Sequence, residues 1–221
     1  MPNNPAVMLL LLKERFLTGD IYVKIDIIAA LIVVICAWLI IVSVFMNFMD
    51  AQKADKVRHE KKHLVATASM SLFYLFYYLL LRFQIGGFRI ADPMLRLTLI
   101  FIGLTVLITG TAVNLLGRLS LGHNWGDQIR IYHGHQLVNR GVYRLVRHPL
   151  YASLIWIFYA GCLIYPNYAG FLANTAVFLP MMFYRARQEE EILIREFPEY
   201  INYQKEVGMF MPIFRRRNDG K

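Results

Sequence analysis

Two polar segments of this chain carry residue types that could bind a ligand and do chemistry. The first, residues 118–149, contains four glycines, four histidines and several aromatic residues, and such a loop could wrap a polar ligand. In the second, Arg187 and Glu190 lie three residues apart on a predicted helix that continues out of an apolar stretch. Side chains at this spacing lie on neighbouring helix faces. The sequence therefore predicts that a carboxylate and a guanidinium emerge together at one surface.

Each of these features also has a simpler structural interpretation. His148 precedes Pro149 and could merely cap the helix that this proline begins, because proline is favoured in a first turn. The charged run around Glu190 could be a solvated helix end, in which exposed ion pairs contribute about 0.2–1 kcal/mol. A metal site is not expected, since the histidines lack close helical ligand spacing and have no carboxylate companion apart from Asp127. The histidines of the first segment are His123, His133, His135 and His148.

The rest of the chain is apolar enough to require contact with lipid. Of its 221 residues, 57% are hydrophobic, and the mean hydropathy is +0.42, whereas soluble domains are about 45–50% apolar. Cys36 and Cys162 each lie inside an apolar run, which excludes a disulfide framework or a cysteine-rich zinc site. The net charge of +9 is spread over short segments between apolar runs. We attribute it to membrane topology and not to nucleic-acid binding.

Four long apolar stretches predict about five transmembrane helices. Three of them have the roughly 20 residues that cross a bilayer core of about 30 Å. The fourth is split by a proline and turn-forming neighbours at 165–167, which predicts a helical hairpin near the carboxy terminus. The predicted helices are 27–46, 64–83, 95–116 and the two halves of 150–184. The predicted fold class is therefore all-α, a polytopic integral membrane protein.

No linker or repeat divides the chain, so we predict one membrane-embedded domain over residues 1–221. Residues 1–117 hold the amino-terminal transmembrane helices, and residues 118–221 hold the two polar segments. A shorter apolar run within 3–17 is too short to span, and favours either an interfacial helix or a frayed tail. No cleavable signal peptide is predicted, because the first long apolar span begins well inside the chain.

Basic residues between the predicted helices set their orientation. Most of the 24 lysines and arginines fall within 50–63, 118–149 and 185–221. Cytoplasmic loops carry an excess of such residues. We therefore expect these three segments in the cytoplasm and the amino terminus outside.

The ordered motifs of the two polar segments resemble those of the isoprenylcysteine carboxyl methyltransferases, which are related to the phospholipid N-methyltransferases. The run GHQLVNRGVYRLVRHPLY is followed by an apolar hairpin, and then by EEE and EFPEYINY. The resemblance covers residues 118–212, and this ordered set is more specific than RHPxY alone. The chain has no G-x-G-x-x-G after a predicted strand, so a soluble methyltransferase fold is not expected.

The resemblance implies that these segments hold S-adenosylmethionine as the methyl donor. It also implies that an arginine just before the glutamates faces the carboxylate of the acceptor. Arg187 is favoured for that catalytic role and Arg185 is the competing choice, because local spacing differs among relatives. The implied cofactor-binding residues are His135, Gln136, Leu137, Val138, Tyr143, His148, Pro149, Leu150, Tyr151 and Glu190.

These residue types suit such a donor, because adenine packs against apolar walls and a sulfonium cation is attracted to an aromatic face. The expected function is methylation, at the cytoplasmic membrane face, of a lipophilic acceptor that reaches the site from the bilayer. A prenylcysteine carboxylate is the leading acceptor by resemblance. Three alternatives stay open: a phospholipid amine as acceptor, a membrane reductase similar to sterol reductases, and a non-enzymatic membrane adaptor. Membrane lipids are the expected surroundings, and no nucleic-acid partner is expected.

Overall fold

The protein is mostly helical in the computed structural model, which describes residues 13, 16, 17, 19–51, 57–61, 64–122, 129–132 and 137–213. A 3-10 turn, Gly141–Arg144, lies ahead of Pro149, and a π-helical turn, Asn174–Phe178, lies between Ala173 and Leu179. The α-helices of these residues are α1 (Ile21–Ala51), α2 (Leu64–Arg82), α3 (Pro93–Leu121), α4 (Pro149–Ile164), α5 (Tyr168–Ala173), α6 (Leu179–Glu196) and α7 (Tyr200–Glu206).

The predicted apolar segments correspond to helices of the structure. Two helices of the described residues are long and apolar enough to cross a membrane, Ile21–Asn47 with a mean hydropathy of 3.2 and Pro93–Leu121 with 2.2. They coincide with the predicted first and third spans, and α2 coincides with the second. The hairpin is broken where the sequence predicted: α4 ends at Ile164, two residues before Pro166. The total of five transmembrane helices stays a prediction.

Two short strands were not predicted. They are β1 (Val57–Lys61) and β2 (Ile129–Tyr132), which pair in an antiparallel ribbon with Lys61 opposite Ile129. The all-α prediction therefore describes the helical body and is incomplete for these segments, since strands of five and four residues are too short to show a clear period. The ribbon joins the segment after α1 to the segment after α3, which loop charge predicted on the same side of the membrane.

The start of α3 is fixed by a side-chain cap. The Asp92 carboxylate accepts hydrogen bonds from the backbone N–H of Met94 at 2.8 Å and of Leu95 at 3.0 Å. These contacts satisfy donors that have no partner within the helix, and Pro93 at the first position has no N–H to satisfy. The helix consequently begins two residues before the predicted apolar span at Leu95.

Helices α3 and α4 pack closely along a line of glycines on α3. A Cβ added at Gly103 would lie 2.7 Å from Ile164 Cγ1 and 3.1 Å from the Ala160 carbonyl oxygen, so the absence of a side chain lets the two backbones approach closely. Asn114, fully buried in the same seam, donates to Ser153 Oγ at 2.8 Å. The glycines of α3 that face α4 are seven residues apart: Gly103, Gly110 and Gly117. This seam holds the first turn of α4, and with it the RHP motif, against the end of α3.

The turn between α4 and α5 is held by Asn167, which is 2% exposed. Its side-chain oxygen accepts from Gly170 N at 2.7 Å and its amide donates to Ile85 O at 3.1 Å. The chain then passes through α5 and the π turn into α6. A π turn adds one residue to a helical turn and often lies at a functional site. Here it precedes the helix that carries Arg185, Arg187 and Glu190.

Candidate functional site

The Glu190 carboxylate is the centre of a buried polar network at the end of α6. Its side chain is only 7% exposed, and four side chains from two other parts of the chain contact it. Such saturation is expected, since a buried charge is costly unless it is paired and hydrogen-bonded. The contacts are Arg147 Nε at 2.7 Å, His148 Nε2 at 3.1 Å and Tyr200 OH at 3.3 Å from Oε1, and Gln204 Nε2 at 2.8 Å from Oε2.

The His148 imidazole lies between two carboxylates. Its Nε2 faces Glu190, and its Nδ1 lies 3.5 Å from Glu189 Oε2. The ring also stacks on Tyr151, with centroids 5.6 Å apart and an interplanar angle of 11°. His148 does occupy the cap position before Pro149, but its side chain makes no capping hydrogen bond. The simple capping interpretation is therefore wrong for the side chain, which is directed to α6 instead.

The charges of this network stabilise one another. Burial opposes protonation of His148, but hydrogen bonds to Glu189 and Glu190 raise its pKa above the ordinary value of 6.5. Burial would raise the pKa of Glu190, but His148 and Arg147 lower it to about 2. Burial is likewise outweighed at Glu189, where His148 is the main partner that lowers the pKa. Both carboxylates are therefore ionised at neutral pH beside an imidazole that binds its proton more tightly than usual.

Arg147 connects the network to the carboxy-terminal part of the chain. Its Nη1 donates to the carbonyl of Gln204 at 3.0 Å and to that of Val207. Its backbone N–H donates to Gly208 O at 2.8 Å, and the next N–H donates to Met209 O at 3.1 Å. Residues 207–210, which we call the strap, are thereby paired along the RHP motif.

Sequence reasoning missed four members of this arrangement: Arg147, Tyr200, Gln204 and Phe210. Two of them lay in recognised motifs, Arg147 in RHP and Tyr200 in the EFPEYINY run, but neither was given a role in the site. Phe210 also contacts the imidazole, with its ring centroid 6.2 Å from that of His148 in an edge-on arrangement. Its contact could not be anticipated, because no helical or strand period links the strap to His148.

The two candidate arginines have different surroundings. Arg185 Nε donates to the Tyr151 hydroxyl at 3.1 Å, and its Nη1 lies 3.3 Å from Met70 Sδ on α2. Arg187 instead places its guanidinium carbon 4.8 Å from the ring centroid of Phe183. Because Tyr151 also stacks on His148, Arg185 is the arginine that adjoins the network.

The remaining predicted residues are distributed around this centre. Pro149 is buried and Leu150 half-buried at the start of α4, where Pro149 provides the first helical position. Tyr143 is 7% exposed and its backbone carbonyl accepts from Tyr203 OH. Leu137 and Val138 are half-buried ahead of the 3-10 turn. The predicted residues His135 and Gln136 lie outside the described residues.

The stretch from α3 to α6, which carries Arg147, His148 and Glu190 of this network, has a counterpart in known proteins. Residues 101–195 match the isoprenylcysteine carboxyl methyltransferase (ICMT) family. The resemblance predicted from the two motifs is thus confirmed. Arg147, His148 and Glu190 fall inside the ICMT match, whereas α7 and the strap lie beyond it.

Curated relatives of the chain are methyltransferases. The chain is 32% identical over 117 residues to a probable protein-S-isoprenylcysteine O-methyltransferase of Oryza sativa subsp. indica. The aligned residues are 51% of this chain and 60% of the relative. The corresponding protein of Oryza sativa subsp. japonica gives the same values. A methanethiol S-methyltransferase of Pseudomonas deceptionensis is 33% identical over 76 residues, 34% of this chain and 28% of that protein. The chain thus spans about three fifths of the length of the rice relatives.

A solved structure supports the ICMT-like fold. The structure of the eukaryotic intramembrane Ras methyltransferase ICMT matches with a TM-score of 0.50 at 24% identity, over 69% of this chain and 54% of that chain. Together with the ICMT match and the two long apolar helices, this likeness supports an integral membrane protein.

Proposed function

We propose that this chain is an S-adenosylmethionine-dependent methyltransferase that acts on a lipophilic acceptor at the cytoplasmic face of a membrane. The observation that carries the proposal is the network around Glu190: the ICMT-matching stretch folds so that His148, Tyr151 and two carboxylates meet at one end of the helices. An anionic and aromatic surface of this kind suits a donor that carries a sulfonium, an amino group and an adenine.

The residues present fit this donor in distinct ways. Glu189 is ionised but 34% exposed, so its carboxylate can accept hydrogen bonds from an amino group or a ribose. The rings of Tyr151 and Phe210 both lie next to His148 and supply aromatic surface there. Glu190 is already held by four partners, so we propose that it acts chiefly by orienting His148 and Arg147. A direct contact between Glu190 and the donor stays a prediction, as do those of the other implied binding residues.

The position of Arg185 favours a carboxylate acceptor. A guanidinium can hold a carboxylate through two parallel hydrogen bonds, and it would repel a protonated amine. When bound, the donor would supply an electrophilic methyl group, and a carboxylate oxygen needs no general base to accept it. The protein then only has to hold the acceptor in line with the sulfonium, which can lower a barrier by up to about 7–11 kcal/mol. We propose a prenylcysteine-type carboxylate as the acceptor and Arg185 as the residue that binds it.

The test is transfer of a radiolabelled methyl group by the purified chain in detergent. We expect labelled product with a prenylcysteine carboxylate and little with a phospholipid amine, which must first lose a proton. A small thiol is the third acceptor to include, because one relative is a methanethiol S-methyltransferase. Calorimetry with S-adenosylmethionine and with a nicotinamide nucleotide separates the remaining alternatives. Failure to bind the first would favour the adaptor, and binding of the second would favour the reductase.

A further inference from the structure

We propose that Arg147 is a positioning residue that holds the strap, residues 207–210, against the donor site. The inference rests on the proposed function, because it assigns the strap a part in binding the methyl donor. It concerns a part of the chain beyond the ICMT match, which ends at residue 195.

The guanidinium of Arg147 bridges two parts of the chain. Its side chain is 9% exposed, with Nε on the Glu190 carboxylate and Nη1 on the carbonyls of Gln204 and Val207. The carbonyls at the end of α7 have no partners within that helix, and a cation is favourable at a helix carboxy terminus. One side chain thus satisfies a buried carboxylate and the end of α7 together.

The backbone pairing extends this bridge into the strap. Gly208 and Met209 accept hydrogen bonds from the N–H groups of Arg147 and His148, so the strap runs beside the RHP motif. Phe210 follows directly, and its ring lies against His148 at 6.2 Å and against Phe183 at 6.4 Å between centroids. The strap therefore places the Phe210 ring as an aromatic wall beside His148, at the site proposed for the donor.

Loss of the Arg147 guanidinium should free the strap, and with it the Phe210 ring, from its position beside His148. Arg147→Met keeps much of the aliphatic volume but removes the donors to Glu190, Gln204 and Val207. We expect the dissociation constant for S-adenosylhomocysteine to rise by about tenfold or more, since hydrogen bonds to charged groups are the strong ones. The KM for the acceptor should change less, which separates a role at the donor site from a general loss of structure.

The experiment compares Arg147→Met with Arg144→Met, an exposed arginine three residues earlier, in the full chain. Calorimetry measures S-adenosylhomocysteine binding, and hydrogen exchange measures protection of the strap with and without that ligand. We expect Arg147→Met to lose affinity and strap protection, and Arg144→Met to keep both. If Arg147→Met does not fold, Phe210→Ala provides the second test, because it removes the wall and leaves the Arg147 contacts intact. We expect that variant to lose affinity while the strap amides stay protected.

Wild-type affinity in Arg147→Met or in Phe210→Ala would overturn the inference, as would unchanged protection of the strap in Arg147→Met. Absence of S-adenosylhomocysteine binding by the wild-type chain would instead refute the proposed function, and the donor role of the strap with it. The two failures are distinguishable because strap protection is also compared without ligand.

Discussion

His148 and Glu190 are 42 positions apart in the sequence, yet His148 Nε2 lies 3.1 Å from Glu190 Oε1 in a buried site. This contact brings the RHP motif at the start of α4 onto the glutamates of α6. It also explains why two motifs separated by an apolar hairpin occur together: neither could bury its charge without the other.

Glu190→Gln tests whether this network is required for both stability and donor binding. An amide has no negative charge and brings two N–H donors toward Arg147, His148 and Gln204, so buried donors would be left without an acceptor. Breaking a buried pair in this way costs about 3–5 kcal/mol. We expect a clear fall in the unfolding temperature in detergent, and weaker binding of S-adenosylmethionine. Glu191→Gln is the matched control, because Glu191 is exposed on the same helix. Equal unfolding temperatures in the two variants would contradict the stabilising role of Glu190.

The acceptor role of Arg185 is tested by two matched substitutions. Arg185→Lys should lose at least about tenfold in turnover on a carboxylate acceptor and keep most of its donor affinity, because an ammonium cannot reproduce the planar fork of a guanidinium. Arg187→Lys should keep most of its turnover, since Arg187 rests on the Phe183 ring. The measurements are kcat with a saturating acceptor and calorimetry with the donor. Normal turnover in Arg185→Lys would rule out Arg185 as the residue that binds the acceptor carboxylate. A selective loss of turnover in Arg187→Lys would favour Arg187, as the sequence did.

The stability of the network should depend on pH in a predictable direction. The raised pKa of His148 means that its contribution is complete below about 6.5 and is lost as the pH rises through the folded-state value. The lowered pKa of Glu190 means that its contribution is complete above about 4.5 and is lost as the pH falls toward about 2. Both contributions are therefore present together between about pH 4.5 and 6.5.

We expect the unfolding temperature of the wild type to exceed that of His148→Phe by the largest margin in this pH window. The phenylalanine keeps a ring beside Tyr151 but removes both contacts with the carboxylates. The margin should shrink as the pH rises above neutrality. A margin that grows from pH 6.5 to pH 9 would show that the histidine is held in its neutral form.

The predicted topology is tested by cysteine labelling of intact cells. Lys56→Cys and Arg216→Cys lie in segments that loop charge places in the cytoplasm, and both positions are outside the described residues. A membrane-impermeant maleimide should label neither from outside and should label both after permeabilisation. The native thiols Cys36 and Cys162 are buried, which limits their background. Labelling of either position in intact cells would reverse the orientation.

The sequence alone determined the membrane class and the approximate limits of the helices. A stretch of about 20 apolar residues has few alternatives to a spanning helix, because backbone groups in lipid must be satisfied internally. Pro166 likewise marked the break in the hairpin, since proline has no N–H for the helix ladder. The RHP motif and the glutamates were identifiable because their order along the chain resembles that of the ICMT family.

Tertiary structure decided which of these side chains meet. Arg185 and Arg187 are two positions apart and so point about 200° from each other around α6. Only the packing of that helix determines which of them reaches Tyr151. The same packing brings the Glu190 carboxylate into contact with Arg147 and Gln204 but leaves Glu189 partly exposed. The strap pairs with the RHP motif across some 60 residues. No periodic pattern encodes such a contact, because it depends on where α3 and α7 end and where α4 begins.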